Sequence, residues 1–413
     1  MEGLLSKVDS EIGKILQEEL TREQKTLSLI PSENYASKAV LEAQGSIFTN
    51  KYAEGYPGKR YYQGCRFIDK IEEIAIQRAK KLFKCEHVNV QAHSGTQANM
   101  AVYHALLKPG DIILSLSLAE GGHLSHGGKG TLPYKYYRIV NYGLDKASER
   151  FDYKEIRQLA KKFSPRLIIV GTSAYPRKIN FSPWKEIAEE VGAYLLADMA
   201  HLIGLIAAGV HPDPVPYVDV VTATTQKTLR GPRGGLILCR KELAPLIDRA
   251  VFPGIQGGPF MHIIAAKAVC FKEAGEPQFK DYQKRVLSNA KALAKVLKEK
   301  GFRLISGGTD NHLLLVDVFS RGIPGDRAAD LLEEGGIVVN KNSIPFDSRS
   351  PVSPSGIRLG TPAVTTRGMG ELEMEVIGEW ISEILLNPND EILRKRIRKK
   401  VEEICEKFPI YKN

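Results

Sequence analysis

VDVVTATTQKTLRGPRGGLILC, residues 218–239, joins two apolar runs through a loop in which Gln226 and Lys227 are followed by glycines, a proline and two arginines. The first run, VDVVTAT, is apolar on both alternating sets of positions, as expected of a strand covered on both faces in a parallel sheet. GLILC begins eight residues after Lys227. That is too short for a crossover helix, so an antiparallel neighbour is expected there.

Outward from this stretch, similar runs recur at 87–91 (HVNVQ), 111–116 (DIILSL), 136–142 (YYRIVNY), 166–172 (RLIIVGT) and 193–199 (AYLLADM). Helical patterns such as FDYKEIRQLAKKF and SPWKEIAEEVG fall between them. Strands alternating with helices predict an α/β architecture with a mostly parallel seven-stranded sheet covered by helices. After residue 262 long helical patterns lead to the strand-like FRLISG, HLLLVDV and IVVNKN with the helix RAADLLEEGG between them. This predicts a smaller C-terminal α/β domain. The expected division is a helical arm over 1–30, a large domain over 31–272 and a small domain over 273–413.

The 413 residues can bury a large core, and 43% hydrophobic with 26% charged residues is an ordinary globular balance. No apolar run reaches the roughly 20 residues of a membrane span. The start reads as an amphipathic helix rather than a signal peptide, so a cytoplasmic protein is expected. Cys65, Cys85, Cys239, Cys270 and Cys405 form no CxxC pair, which argues against a zinc or disulfide framework. The net charge of +10 includes the run RKRIRKKVEEICEK. That run reads as a solvated helix face, and without a stacking-aromatic motif nucleic acid is not expected as the main ligand.

Nucleotide-loop motifs (GxGxxG, GxxxxGK[ST]) are absent. After HVNVQ, Ser94 and Gln97 fit a capping box whose first turn, Gly95 and Thr96, is either simply a helix cap or a phosphate cradle. Asp198 ends the buried run AYLLADM and His201 follows it, at the strand ends where open α/β sheets gather ligands. Lys227 belongs to the same edge. An amine, a carboxylate and a phosphate cradle together suit pyridoxal 5'-phosphate (PLP) better than a lysine serving as a phosphate contact or salt-bridge partner. His123 and His126 in GGHLSHGG lack a carboxylate or cysteine companion, so no metal is expected and an imidazole over a ring is the better reading. YAEGYPGKRYYQG, 52–64, reads as a binding loop, and Arg358 in SPSGIRLGTPA suits a carboxylate.

LIPSEN, TNKYAEGYPGKRYYQG, NVQAHSGTQAN, DMAHLIGLIAAGVHPDPVP, KTLRGPRGGLIL, FPGIQGGP, SGGTDNHLLLVD and SGIRLGTPA together make the sequence closely similar to serine hydroxymethyltransferases. These are PLP enzymes of transferase fold type I, and the similarity runs nearly the whole chain. The resemblance implies that Lys227 forms the Schiff base and that Asp198 pairs with the ring nitrogen. His123 would stack on the ring, with Ser173 and His201 near the phenolic oxygen. Ser94, Gly95 and Thr96 would hold the phosphate, joined by Gly257 and Gly258 from a second subunit. Arg358 with Ser32 would grip the substrate carboxylate. Tyr52, Glu54 and Tyr62 would arrive from the partner chain, Glu54 as proton shuttle, making a homodimer or a tetramer with shared sites. Leu118, Gly122 and Leu124 would meet the folate. The implied reaction moves the serine hydroxymethyl carbon to tetrahydrofolate or a related pterin and leaves glycine.

Four positions depart from the family pattern. Gln226 stands where TTTTHKT has His, and cannot titrate near neutral pH. Ala223 replaces a Thr, Ile203 a small residue, and Glu120 a His beside the expected folate site. Gln226 therefore marks a specificity position, and keeps open a folate-independent β-hydroxyamino acid aldolase or an α-methylserine hydroxymethyltransferase. Glu120 suggests a different pterin or a differently charged tail.

Overall fold

A computed structural model describes residues 4–411. All seven expected strands form one sheet: β1 His87–Asn89, β2 Ile112–Leu116, β3 Arg138–Tyr142, β4 Leu167–Gly171, β5 Tyr194–Asp198, β6 Val220–Thr224 and β7 Gly235–Cys239. Their spatial order is β1-β7-β6-β5-β4-β2-β3. β2 to β6 pair in parallel, and β7 runs antiparallel to both β6 and β1. GLILC is thus the reversed strand that its short loop required.

Every residue of β4, β6 and β7 is buried. Alternation along β4 sends Ile168 and Val170 into one apolar cluster and Leu167 and Ile169 into another, one on each face of the sheet. Helix Gly95–Leu106 follows β1, with Ser94 Oγ accepting from the Gln97 N–H at 3.2 Å. The Gln97 side chain accepts from the Ser94 hydroxyl rather than its backbone N–H, so only half of the capping box forms.

Toward the C-terminus, Arg303–Leu304, Leu313–Asp317, Gly356–Gly360 and Asn340–Asn342 build a four-stranded antiparallel sheet in that order. The run IVVNKN is split: Ile337–Val338 pairs in parallel with Leu27–Ser28, and Asn340–Asn342 pairs with Gly356–Gly360. Leu27 and Leu29 consequently lie in the second core, with Leu314, Ile357 and Ile381. Helix Pro277–Glu299, which begins just past the expected boundary at 272, spans both cores. Its Phe279, Tyr282 and Val286 belong to the first core, and Ala290, Leu293 and Leu297 to the second. No helix among the described residues is long and apolar enough to cross a membrane.

Candidate active site

A cavity of about 750 Å³ opens where β4, β5 and β6 end, lined by Lys227, Asp198, His123, His201, Ser94, Gly95, Thr96, Ser173, Arg358, Ser32 and Gln226. The strand ends explain this gathering. Asp198 closes β5, Lys227 follows β6 by three residues, and the Ser94 turn follows β1. The register sets Asp198 beside Gly171 and Thr222. A Cβ at Gly171 would come 2.6 Å from the Asp198 carbonyl oxygen, so only glycine admits this approach.

Burial would raise the Asp198 carboxyl. Hydrogen bonds from His126 Nε2 and Asn99 Nδ2, both 2.8 Å, together with the His126 and His123 imidazoles, outweigh burial and hold it well below the usual carboxylate range. Asn99 is itself fixed by the Thr222 hydroxyl, which donates to its Oδ1 at 2.6 Å. The Ser125 backbone N–H donates to His123 Nδ1 at 3.1 Å, so the His123 ring proton sits on Nε2. Burial first, partly countered by Asp198, lowers His123 to about 4, a neutral imidazole at physiological pH. His201 is held well below its ordinary value by burial and by the charges of Lys227 and Arg358; its Nδ1 lies 3.3 Å from His312 Nε2.

Burial pulls the Lys227 amine down to about 8; the Asp198 charge opposes this, while Arg358 and Arg233 add to it. Arg358 is buried with no ion-pair partner among the described residues. It donates to the Ser173 carbonyl and, at 3.2 Å, to Asn340 Oδ1. Burial lowers its pKa, yet a guanidinium stays charged at neutral pH. The site therefore offers a desolvated cation whose charge the described residues leave uncompensated, a setting that suits a carboxylate ligand.

Leu118, Gly122 and Leu124 line the same cavity, with Leu118 and Leu124 partly exposed at its rim. Tyr52, Glu54, Tyr62, Gly257 and Gly258 are not among its lining residues. They gather elsewhere on the chain: the Tyr52 and Tyr62 rings lie 5.2 Å apart, and Cβ atoms at Gly257 and Gly258 would meet Glu54 and Tyr52.

One charged residue faces away from where sequence reasoning set it. Glu120 accepts the Leu144 N–H at 2.5 Å and lines a different cavity, with Gly143 and Asp152, so it does not border the Lys227 cavity. The following Gly121, at φ +104°, turns the chain between the two. Arg230 lies over the Tyr282 ring, 5.1 Å from its centre, and only Arg233 of the loop's arginines reaches the cavity.

Sequence reading missed Asn99, His126 as a partner of Asp198, and Asn340 to Ser343. Asn99 left a signal: it stands four residues after Gly95, on one helix face, amid Ala98, Ala101 and Val102. Asn340–Asn342 left none, because its position depends on pairing with the strand that carries Arg358.

These residues fit PLP. The cavity brings together a low-pKa amine, a buried carboxylate held ionised, and a helix start whose Gly95 and Thr96 N–H groups have no acceptor within the described chain. The family model for serine hydroxymethyltransferase matches residues 5–381. A serine hydroxymethyltransferase of Coprothermobacter proteolyticus is 57% identical over 404 residues, covering 98% of this chain and 97% of its own. With a cavity that fits the cofactor and a match spanning nearly its whole length, the chain belongs to the serine hydroxymethyltransferase family of PLP-dependent, fold type I enzymes.

Proposed function

We propose that this chain exchanges the hydroxymethyl carbon of serine with tetrahydrofolate or a related reduced pterin, giving glycine, in the cavity around Lys227. The observation that carries this reading is the joint presence there of the lowered Lys227 amine, the ionised Asp198 and the buried Arg358, which has no ion-pair partner among the described residues. Bound PLP supplies an electron sink for the Cα–Cβ bond that breaks.

The chain's own residues divide the remaining tasks. Lys227 would hold the cofactor through its amine, and Asp198, anchored by His126 and Asn99, would keep the ring nitrogen protonated. His123, neutral and held by Ser125, would pack against the cofactor ring, and Ser173 and His201 would serve its phenolic oxygen. The Ser94–Thr96 turn takes the phosphate. Arg358 and Ser32 orient the substrate carboxylate, and Leu118, Gly122 and Leu124 offer a surface to the pterin. Gln226, beside Lys227 in the cavity, sets preference among β-hydroxyamino acids.

Tyr52, Glu54, Tyr62, Gly257 and Gly258 complete the site from a second copy of the chain in a homodimer, Glu54 moving the proton of the serine hydroxyl. Their clustering apart from the Lys227 cavity supports this, as does the exposed apolar face of helix Ser10–Lys25, with Ile12, Ile15 and Leu16. The five free cysteines suit a reducing, cytoplasmic setting. No observation favours the aldolase or α-methylserine readings. Glycine formation from serine by the PLP-loaded protein, with and without tetrahydrofolate, tests the proposal. Strong dependence on the pterin is expected, and equal rates in both tubes would refute it.

A further inference from the structure

Lys267, on helix Met261–Ala274, is a buried amine that none of the roles above uses; burial pulls it down to about 7, the Glu72 charge opposes this, and three carbonyl acceptors favour its protonated form. Its Nζ donates to three backbone carbonyls: Val90 at 2.6 Å, Ala92 at 3.0 Å and Gly235 at 2.7 Å. An ammonium has three N–H groups, and each here finds an acceptor. Among the described residues Lys267 has no carboxylate within ion-pair distance; Glu72, whose charge favours the ammonium, is engaged by Arg60 and Gln91.

The position of those carbonyls gives the arrangement its meaning. The ladder between β1 and β7 ends at Asn89 and Ile237. Beyond it one chain diverges toward the Ser94 turn, and the other comes in from the Lys227 loop. Carbonyls left unpaired at that fork need donors, because a buried backbone acceptor without one is costly. Lys267 serves both branches at one point, and the Gly235 N–H to Ala92 carbonyl bond at 2.9 Å adds a second tie. The loop accommodates it: a Cβ at Gly234 would stand 2.5 Å from Lys267 Cε. Part of the glycine in GPRGG thus makes room for this lysine. Its charge also reaches the turn, since burial and then Lys267 lower the imidazole of His93, the residue before Ser94.

We propose that Lys267 is a positioning residue for the cofactor phosphate: its ammonium clamps the approach to the Ser94–Thr96 turn onto the strand that closes the Lys227 loop. Phosphate cradle and amine are thereby held at a fixed separation. The inference rests on the reading of that turn as the phosphate site. A merely structural lysine would affect all ligands alike, whereas a positioning one governs the preference for a phosphorylated ligand.

The test strips the full chain of cofactor and titrates it back with PLP or with pyridoxal, by absorbance, alongside thermal unfolding of the stripped protein. Lys267→Met is expected to weaken PLP binding about tenfold or more while changing pyridoxal binding little. An equal loss for both ligands, or none, overturns the proposal. Should Lys267→Met fail to fold, Gly234→Ala, which crowds the lysine side chain, is expected to reduce the same preference. Unchanged preference in that variant overturns the proposal equally. Ser94→Ala separates the two readings. Retained phosphate preference there would sink the phosphate-turn reading and the clamp with it, whereas its loss there but not in Lys267→Met would sink the clamp alone.

Discussion

Lys227 and Arg358 are both cations driven out of water, and their environments set them to different tasks. For Lys227 burial outweighs the favourable Asp198 charge and brings the amine to about 8, against an ordinary 10.5. Only the neutral amine attacks an aldehyde. Uptake of PLP by the stripped protein should therefore accelerate as pH rises through a midpoint near 8; stopped-flow absorbance showing a midpoint at the ordinary lysine value would contradict this. The sign for stability follows. Protonating a lysine of lowered pKa costs the fold below about pH 8, and that cost is relieved as pH climbs toward 10.5. Arg358, by contrast, stays charged at any working pH. Arg358→Ala should cost about 1.5–3 kcal/mol of serine binding, on the order of 10- to 100-fold in KM, with PLP absorbance intact. An unaltered KM would remove it from the substrate site. Gln226 takes the Gly234 N–H only weakly, at 3.4 Å, and lines the cavity. Gln226→His should leave PLP affinity unchanged and alter the ratio of serine to allo-threonine turnover; an identical ratio would rule out a specificity role.

At the level of elements, the two ends of the chain are joined by one side chain. Arg367 donates to the Glu23 carbonyl at 2.9 Å, the Gln24 carbonyl at 2.8 Å and the Phe408 carbonyl at 3.1 Å, tying the end of helix Ser10–Lys25 to the end of Glu391–Lys407. C-terminal helix carbonyls lack intrahelical donors, so a guanidinium fork is well matched to them. Arg367→Ala should lower unfolding stability by about 2–4 kcal/mol, read from denaturant midpoints. An unshifted midpoint would mean that water replaces the fork without cost. Just beyond this tie Leu27–Ser28 pairs with Ile337–Val338, and the chain then runs on to Ser32 in the cavity.

For the whole molecule, the residues assigned to the proposed site fall into two separate groups on the chain. One chain collects Lys227, Asp198 and Arg358, while Glu54 and its tyrosines gather elsewhere on the same chain. A two-fold dimer brings such separated halves together reciprocally. Lys227→Ala and Glu54→Gln chains, each inactive alone, should on subunit exchange recover roughly a quarter of normal activity: half of the dimers are mixed, and each mixed dimer holds one complete site. No recovery from a mixed dimer verified by native mass spectrometry would place Glu54 outside the site.

The strands, the reversed GLILC and the strand-end placement of Asp198 and Lys227 were legible in the sequence, because apolar periodicity and loop length are local properties of the chain. So were Ser94, from its cap spacing, and Arg358, from its small neighbours. Other features were not. SPSGIRLGTPA reads only as small residues around Arg358, with no strand expected there, yet Gly356–Gly360 is a central strand buried at every position, since glycine flanks are tolerated where two neighbours pair with it. Glu120 looked like a folate neighbour by proximity in sequence, but Gly121 turns the chain and sends its carboxylate to Leu144. Sequence by itself determined which residues could do chemistry and on which strand ends they stand. The tertiary structure alone decided their partners, because the Asp198–His126–Asn99 network, the Lys267 clamp and the Arg367 tie each join segments far apart in sequence, and no local periodicity encodes such contacts.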